Sequence, residues 1–139
     1  MAVDRKRRVG LVATATAVAA SGTILVVDDD PSVVLLLRTL FEENGYRVLG
    51  AGNGQEAIRA HAEHGPVDLI VTDIDMPRMD GLGMCRWLQG NHFAPPIIVI
   101  SGLDVSPEHV CGTSPSVAGF LRKPFAMSDL LEMAVATMA

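Results

Sequence analysis

Aromatic side chains are scarce, with one Trp, one Tyr and four Phe among 139 residues. That leaves little material for the stacking platforms that single-stranded nucleic acids need. Basic excess is missing as well. The formal net charge is −5, and Arg5, Lys6, Arg7 and Arg8 form the one basic cluster. A nucleic-acid partner, which wants a basic face, is therefore not expected. Cysteine is limited to Cys85 and Cys111. Neither sits in a C-x-x-C pair, so no metal or redox motif is supported, and both read as reduced thiols.

No apolar run reaches the roughly 20 residues needed to cross a bilayer. The nearest approach is Val9 to Ala20, which follows the basic cluster and has the outline of a secretory signal. Gly10, Thr14 and Thr16 keep its hydrophobicity low. We read residues 1–22 as a disordered leader and 23–139 as a single domain, with no membrane association and a cytoplasmic location. Hydrophobic residues make up 49% and charged residues 19%, which suits one well-buried core rather than a disordered chain.

From Thr23 onward short apolar runs alternate with helical patterns. Ile24 to Val27 is a β-branched run ending in Asp28-Asp29-Asp30, after which Pro31 opens a helix with Asp30 as N-cap. Its apolar set is Val33, Val34, Leu36, Leu37, Leu40 and Phe41, and it stops at Gly45. Tyr46 to Ala51 reads as the second strand. Asn53 and Glu56 resemble an N-cap with its returning Glu, opening a helix that runs to about His64. Leu69 to Thr72 is a third strand ending at Asp73. A loop from Met76 to Gly81 leads into a third helix through Trp87 and Leu88. Pro96 to Ile100 is a fourth strand ending at Ser101, and Val117 to Arg122 a fifth ending at Lys123-Pro124. The last helix spans about Ser128 to Met138. Between the fourth and fifth strands, Gly112, Thr113, Ser114 and Pro115 break any helix begun at Asp104. No second domain is expected after the last helix.

Such alternation predicts an α/β fold with a parallel sheet covered on both faces. In these folds the working groups gather outside the carboxyl ends of the strands. Here four strands end in polar residues: Asp28 and Asp29, Asp73, Ser101 and Lys123. Carboxylates crowded into one pocket repel each other unless a hard cation sits among them or some of them are protonated. Mg²⁺ suits such a site, because it takes one or two carboxylates together with phosphate oxygens. Phosphoryl transfer follows, with Asp73 as nucleophile and Mg²⁺, Lys123 and Ser101 each covering one phosphoryl oxygen. Taken singly, each residue has a plainer role: Asp30 is a helix cap, Asp28-Asp29 a solvated turn, Lys123 a surface charge. Their joint position at strand ends favours chemistry. His61, His64, His92 and His109 are scattered and read as surface or loop residues, and the methionines as core filler.

Residues 23 to 138 resemble the receiver domain of two-component response regulators. The matching segments are Ile24 to Pro31, Asp68 to Gly81, Ile97 to Gly102, and Gly119 to Phe125 with its Lys123-Pro124-Phe125 ending. The resemblance implies a doubly wound five-stranded sheet of flavodoxin-like order 2-1-3-4-5. It implies that Asp73 accepts a phosphoryl group from a histidine kinase or phosphotransfer protein in a Mg²⁺-dependent reaction, followed by a conformational switch. Asp28, Asp29, Asp73 and the backbone carbonyl of Asp75 would hold Mg²⁺. Ser101 and Phe120 would be the switch pair, and Lys123 would contact a phosphoryl oxygen. Lys123-Pro124 is a candidate cis bond. The chain would not be an enzyme beyond its own phosphorylation and dephosphorylation, and would be a monomer or weak dimer.

Three departures stand out: the irregular segment Asp104 to Ser116, a Phe rather than a hydroxyl-bearing ring at position 120, and an acid at Asp75, which bears on phosphoryl lifetime. Two rivals remain at this stage. Asp73-Ile74-Asp75 resembles the nucleophile motif of haloacid-dehalogenase-type phosphatases, although the acid pair precedes that strand here. A pure binding module is the other; flavin phosphate is disfavoured by the acids at the first strand end, whereas a receiver that binds partners without phosphorylation would keep the fold alone.

Overall fold

The computed structural model describes residues 22–73, 95–102 and 117–139, together with a short antiparallel backbone pair, Ala2–Val3 with Lys6–Arg7. The rest of the leader, the third helix, the loop carrying Asp75, the segment Asp104 to Ser116, Cys85, Cys111, His92 and His109 lie outside the described residues.

Five strands form one parallel sheet: β1 (Thr23–Val27), β2 (Arg47–Ala51), β3 (Leu69–Asp73), β4 (Ile97–Ser101) and β5 (Val117–Arg122). Their order is β2-β1-β3-β4-β5, the order implied above. The described helices are α1 (Pro31–Glu42), α2 (Gly54–His64) and the C-terminal α3 (Met127–Met138).

Side-chain alternation divides the central strands between two cores. Leu25, Val27, Ile70, Ile97 and Val99 pack on the α2 side with Ala57. Ile24, Val26, Leu69, Val71, Ile98 and Ile100 pack on the other side against Leu37 and Phe41 of α1 and Leu130 and Ala134 of α3. Both faces are thus buried, which is why β1, β3 and β4 read as unbroken apolar runs rather than alternating ones. β5 carries a register irregularity opposite Ile97 and Ile98. Its Phe120 joins the α2-side core and Leu121 the opposite one.

Element boundaries follow local chemistry. The Asp30 carboxylate accepts from the Ser32 N–H at 2.9 Å, and Pro31 occupies the first turn, as a helix start with an orphan donor requires. α1 ends in a Schellman arrangement. Tyr46 N–H donates to Phe41 C=O at 3.1 Å, Gly45 N–H donates to Glu42 C=O at 3.1 Å, and Gly45 takes φ 91°. The Phe41 and Tyr46 rings close the motif edge to face, 6.3 Å apart.

Two expectations need correction. Leu36, placed in the apolar set of α1, is 52% exposed beside Leu35 at 64%, because the buried stripe of α1 runs through Leu37 and Phe41 instead. His61, expected at the surface, is buried. It shares the inward face of α2 with Gly54 and Ala57, and an i, i+4 step from Ala57 points it to the sheet.

Candidate functional site

Parallel strands place their carboxyl ends along one edge, so residues distant in sequence meet there. β1 and β3 are neighbours, with Val27 opposite Thr72. Asp28 therefore emerges beside Asp73. β5 joins at the far side of β4, with Ser101 opposite Arg122. Ser101 C=O accepts the Lys123 N–H at 2.8 Å, which fixes where the lysine leaves the sheet. The Lys123–Pro124 bond is cis, as the resemblance implied.

Lys123 reaches back across the edge to both buried acids. Its Nζ lies 3.3 Å from Asp73 Oδ2 and 3.5 Å from Asp28 Oδ2. Asp28 and Asp73 are buried, whereas Asp29 is exposed. Carboxylate oxygens of Asp28, Asp29 and Asp73 nevertheless all fall within 4.8 Å of one another. Asp28 is held tightly. Its backbone N–H donates to Ala51 C=O at 3.1 Å, and its Oδ1 accepts from the Asp30 N–H at 2.9 Å.

The electrostatics are unbalanced. Burial pushes the Asp28 carboxyl above its ordinary pKa, and the Asp73 charge adds to that push. The Asp30 N–H and the Lys123 ammonium oppose it only in part. For Lys123, burial acts to lower the pKa, but the charges of Asp28 and Asp73 outweigh it and hold the ammonium above its ordinary value. Among the described residues, three carboxylates gather around one ammonium, so acidic groups outnumber basic ones at this edge. An all-oxygen donor set with that imbalance fits a hard divalent cation.

Ser101 is fully buried at the end of β4, and Phe120 is half-buried on β5. The structure thus brings together Asp28, Asp29, Asp73 and Lys123, with Ser101 at the adjoining strand end. Asp75 lies outside the described residues.

Sequence reasoning missed one feature beside the site. An open cavity of about 340 Å³ lies between α1 and the β2–α2 turn, lined by Asp28, Asp29, Val34, Arg38, Gly50 and Glu56 among others. Gly50 lines it at a close approach of β2 to α1, where an added Cβ would lie 2.9 Å from Val34 Cγ1. An isolated glycine inside a strand pattern is the signal for such a close approach.

A family model described as the response regulator receiver domain matches residues 24–135. Among curated proteins, the chain is 44% identical over 108 residues to response regulator MprA of Mycobacterium tuberculosis, covering 78% of this chain and 46% of that protein. The Mycolicibacterium vanbaalenii MprA is 43% identical over the same length and shares. The chain spans about half the length of these relatives. Among solved structures, the receiver domain of the Francisella response regulator 1452 is 31% identical with a TM-score of 0.72, covering 84% of this chain and 96% of that one. The Thermotoga maritima response regulator TrrA, in complex with Mg(2+)-BeF, is 30% identical with a TM-score of 0.71, covering 83% and 97%.

Proposed function

The chain belongs to the response regulator receiver domain family, and on that premise we propose that Asp73 is the residue on which it carries a phosphoryl group. Receiver domains of this family work in two-component phosphorelay signalling, and this one has an acidic cluster suited to a metal. The observation that carries the residue assignment is Lys123 Nζ held between Asp28 and Asp73 beside the third acid, Asp29.

The donor in this reading is a phosphohistidine on a histidine kinase or phosphotransfer protein. An Asp73 carboxylate oxygen forms the new O–P bond as the P–N bond breaks, and the bonding pair returns to the imidazole nitrogen. Asp28, Asp29 and Asp73 would hold Mg²⁺, joined by the Asp75 carbonyl as the resemblance implies; the Mg(2+)-BeF complex of the Thermotoga relative supports the choice of metal. When bound, Mg²⁺ neutralises charge on the transferring phosphoryl oxygens. Lys123 contributes a point charge to another of them. The Ser101 hydroxyl donates to a third, and Phe120 answers by a change of packing, since it has no hydroxyl to exchange. The domain comprises residues 23–139, acts in the cytoplasm as a monomer or weak dimer, and catalyses only its own phosphorylation and dephosphorylation. Its kinase and downstream partner are proteins rather than nucleic acid or membrane.

The test is incubation with a small acyl phosphate and Mg²⁺. The expected result is one acid-stable, hydroxylamine-labile phosphoryl group per chain, absent in Asp73→Asn and absent with EDTA. Steady turnover of generic phosphoesters would instead support a phosphatase. An unlabelled chain whose shape ignores donor and Mg²⁺ would support a pure binding module.

A further inference from the structure

α2 opens in a way that departs from the usual reciprocal cap. Asn53 Oδ1 accepts from the Glu56 N–H at 2.9 Å, as a capping box requires. The return bond goes elsewhere. Glu56 Oε1 accepts from the N–H of Gly52 at 2.7 Å, one residue before the cap. Gly52 directly follows Ala51, whose carbonyl accepts the Asp28 N–H at 3.1 Å. Asp28 in turn has its carboxylate steadied by the Asp30 N–H at 2.9 Å.

These bonds form a continuous line from Glu56 through the β2–α2 turn to the backbone of Asp28. We propose that Glu56 is a positioning residue for the metal site: its carboxylate pins the Gly52 amide, which fixes the Ala51 carbonyl on which Asp28 hangs. The inference rests on the metal-binding reading above. Glu56 need not touch the metal. Its charge-assisted bond is short, and bonds of this kind are about twice as strong as neutral ones. Space around it is limited too, since a Cβ added at Gly52 would lie 3.2 Å from Glu56 Oε1. Metal ligands held by ordered outer partners bind typically 10–100-fold better than the same ligands left loose.

The test compares Mg²⁺ dissociation constants, read by calorimetry on folded protein well below its melting temperature. Glu56→Ala removes the acceptor, and the expected result is an affinity loss of about tenfold. Glu56→Gln keeps an acceptor oxygen but makes the weaker neutral bond, and a loss clearly smaller than that of Glu56→Ala is expected. Asn53→Ala removes the acceptor of the Glu56 N–H but leaves both partners of the Glu56–Gly52 bond in place, and is expected to lower the melting temperature while leaving Mg²⁺ affinity near the wild type. Hydrogen exchange at the Gly52 amide should quicken in Glu56→Ala and quicken less in Glu56→Gln. Three results would overturn the proposal: unchanged affinity in Glu56→Ala, an equal loss in Glu56→Gln (which assigns the effect to charge), or the same loss in Asn53→Ala (which assigns it to helix stability). Absence of Mg²⁺ binding by the wild type would instead overturn the metal reading itself.

Discussion

Asp28 and Asp29 are chain neighbours of the same chemistry, yet one is buried against Lys123 and the other is exposed. Around the buried acid, removing the carboxyl and removing the ammonium are expected to have opposite signs. Asp28→Asn removes a carboxyl that burial already pushes toward its neutral form. In EDTA it is expected to stabilise the fold by about 1 kcal/mol. Lys123→Met leaves Asp28 and Asp73 facing each other without their ammonium. Because the lysine is about one-third exposed, solvent screening limits the cost to about 1 kcal/mol of destabilisation. Urea titrations of both variants in EDTA check the pair; equal signs would show that the two acids are not in conflict. The identity of these residues was legible from their places at strand ends. Which of the two adjacent acids would be buried was not, since that depends on how Pro31 turns the chain into α1 and on the reach of a lysine 95 residues away.

At the scale of the element, the caps were readable because they are local. Asp30, Gly45 and Asn53 each perform the role their type and spacing suggest. The return partner of Glu56 was not readable, as the choice between the amides of residues 52 and 53 depends on the turn. Gly45 sits at φ 91°, so Gly45→Ala is expected to cost about 1 kcal/mol in a urea titration. His61 supplies a pH dependence. Burial lowers its pKa, and the nearby His64 lowers it further. The unfolded chain therefore binds the proton more readily than the folded one. The neutral histidine's contribution is fully present above about pH 6.5 and is lost as pH falls through the lowered folded value. Melting curves from pH 7.5 downward should lose stability with a slope no steeper than about 1.4 kcal/mol per pH unit from this group. His61→Gln should flatten that slope, and an unchanged slope would remove His61 as its source.

Across the whole molecule, apolar strand runs announced a sheet buried on both faces, and the alternation of elements announced that it was parallel. Both hold over the described residues. The strand order came from the family resemblance, since no local pattern says that β2 lies outside β1. Position on helix surfaces was harder: Leu36 faces outward and His61 inward, because the α1 and α2 stripes are set by where the sheet lies beneath them. A site that gathers three carboxylates within 4.8 Å of one another makes the fold as a whole sensitive to divalent cations. At Mg²⁺ ten times its dissociation constant, unfolding should become harder by about 1.4 kcal/mol. The gain should be largely lost in Asp28→Asn, and thermal melts with Mg²⁺ or EDTA decide it.

The central claim is that Asp73 carries the phosphoryl group, and locating the modification tests it most directly. The protein is treated with a small acyl phosphate and Mg²⁺, then with borohydride, which reduces an acyl phosphate to a primary alcohol and leaves a fixed mass change on the acceptor side chain. Peptide mass spectrometry then reads the position. The label is expected at Asp73, at a stoichiometry approaching one per chain and only when Mg²⁺ is present. A label on Asp28, Asp29 or any other residue, or an equal yield without Mg²⁺, would contradict the account.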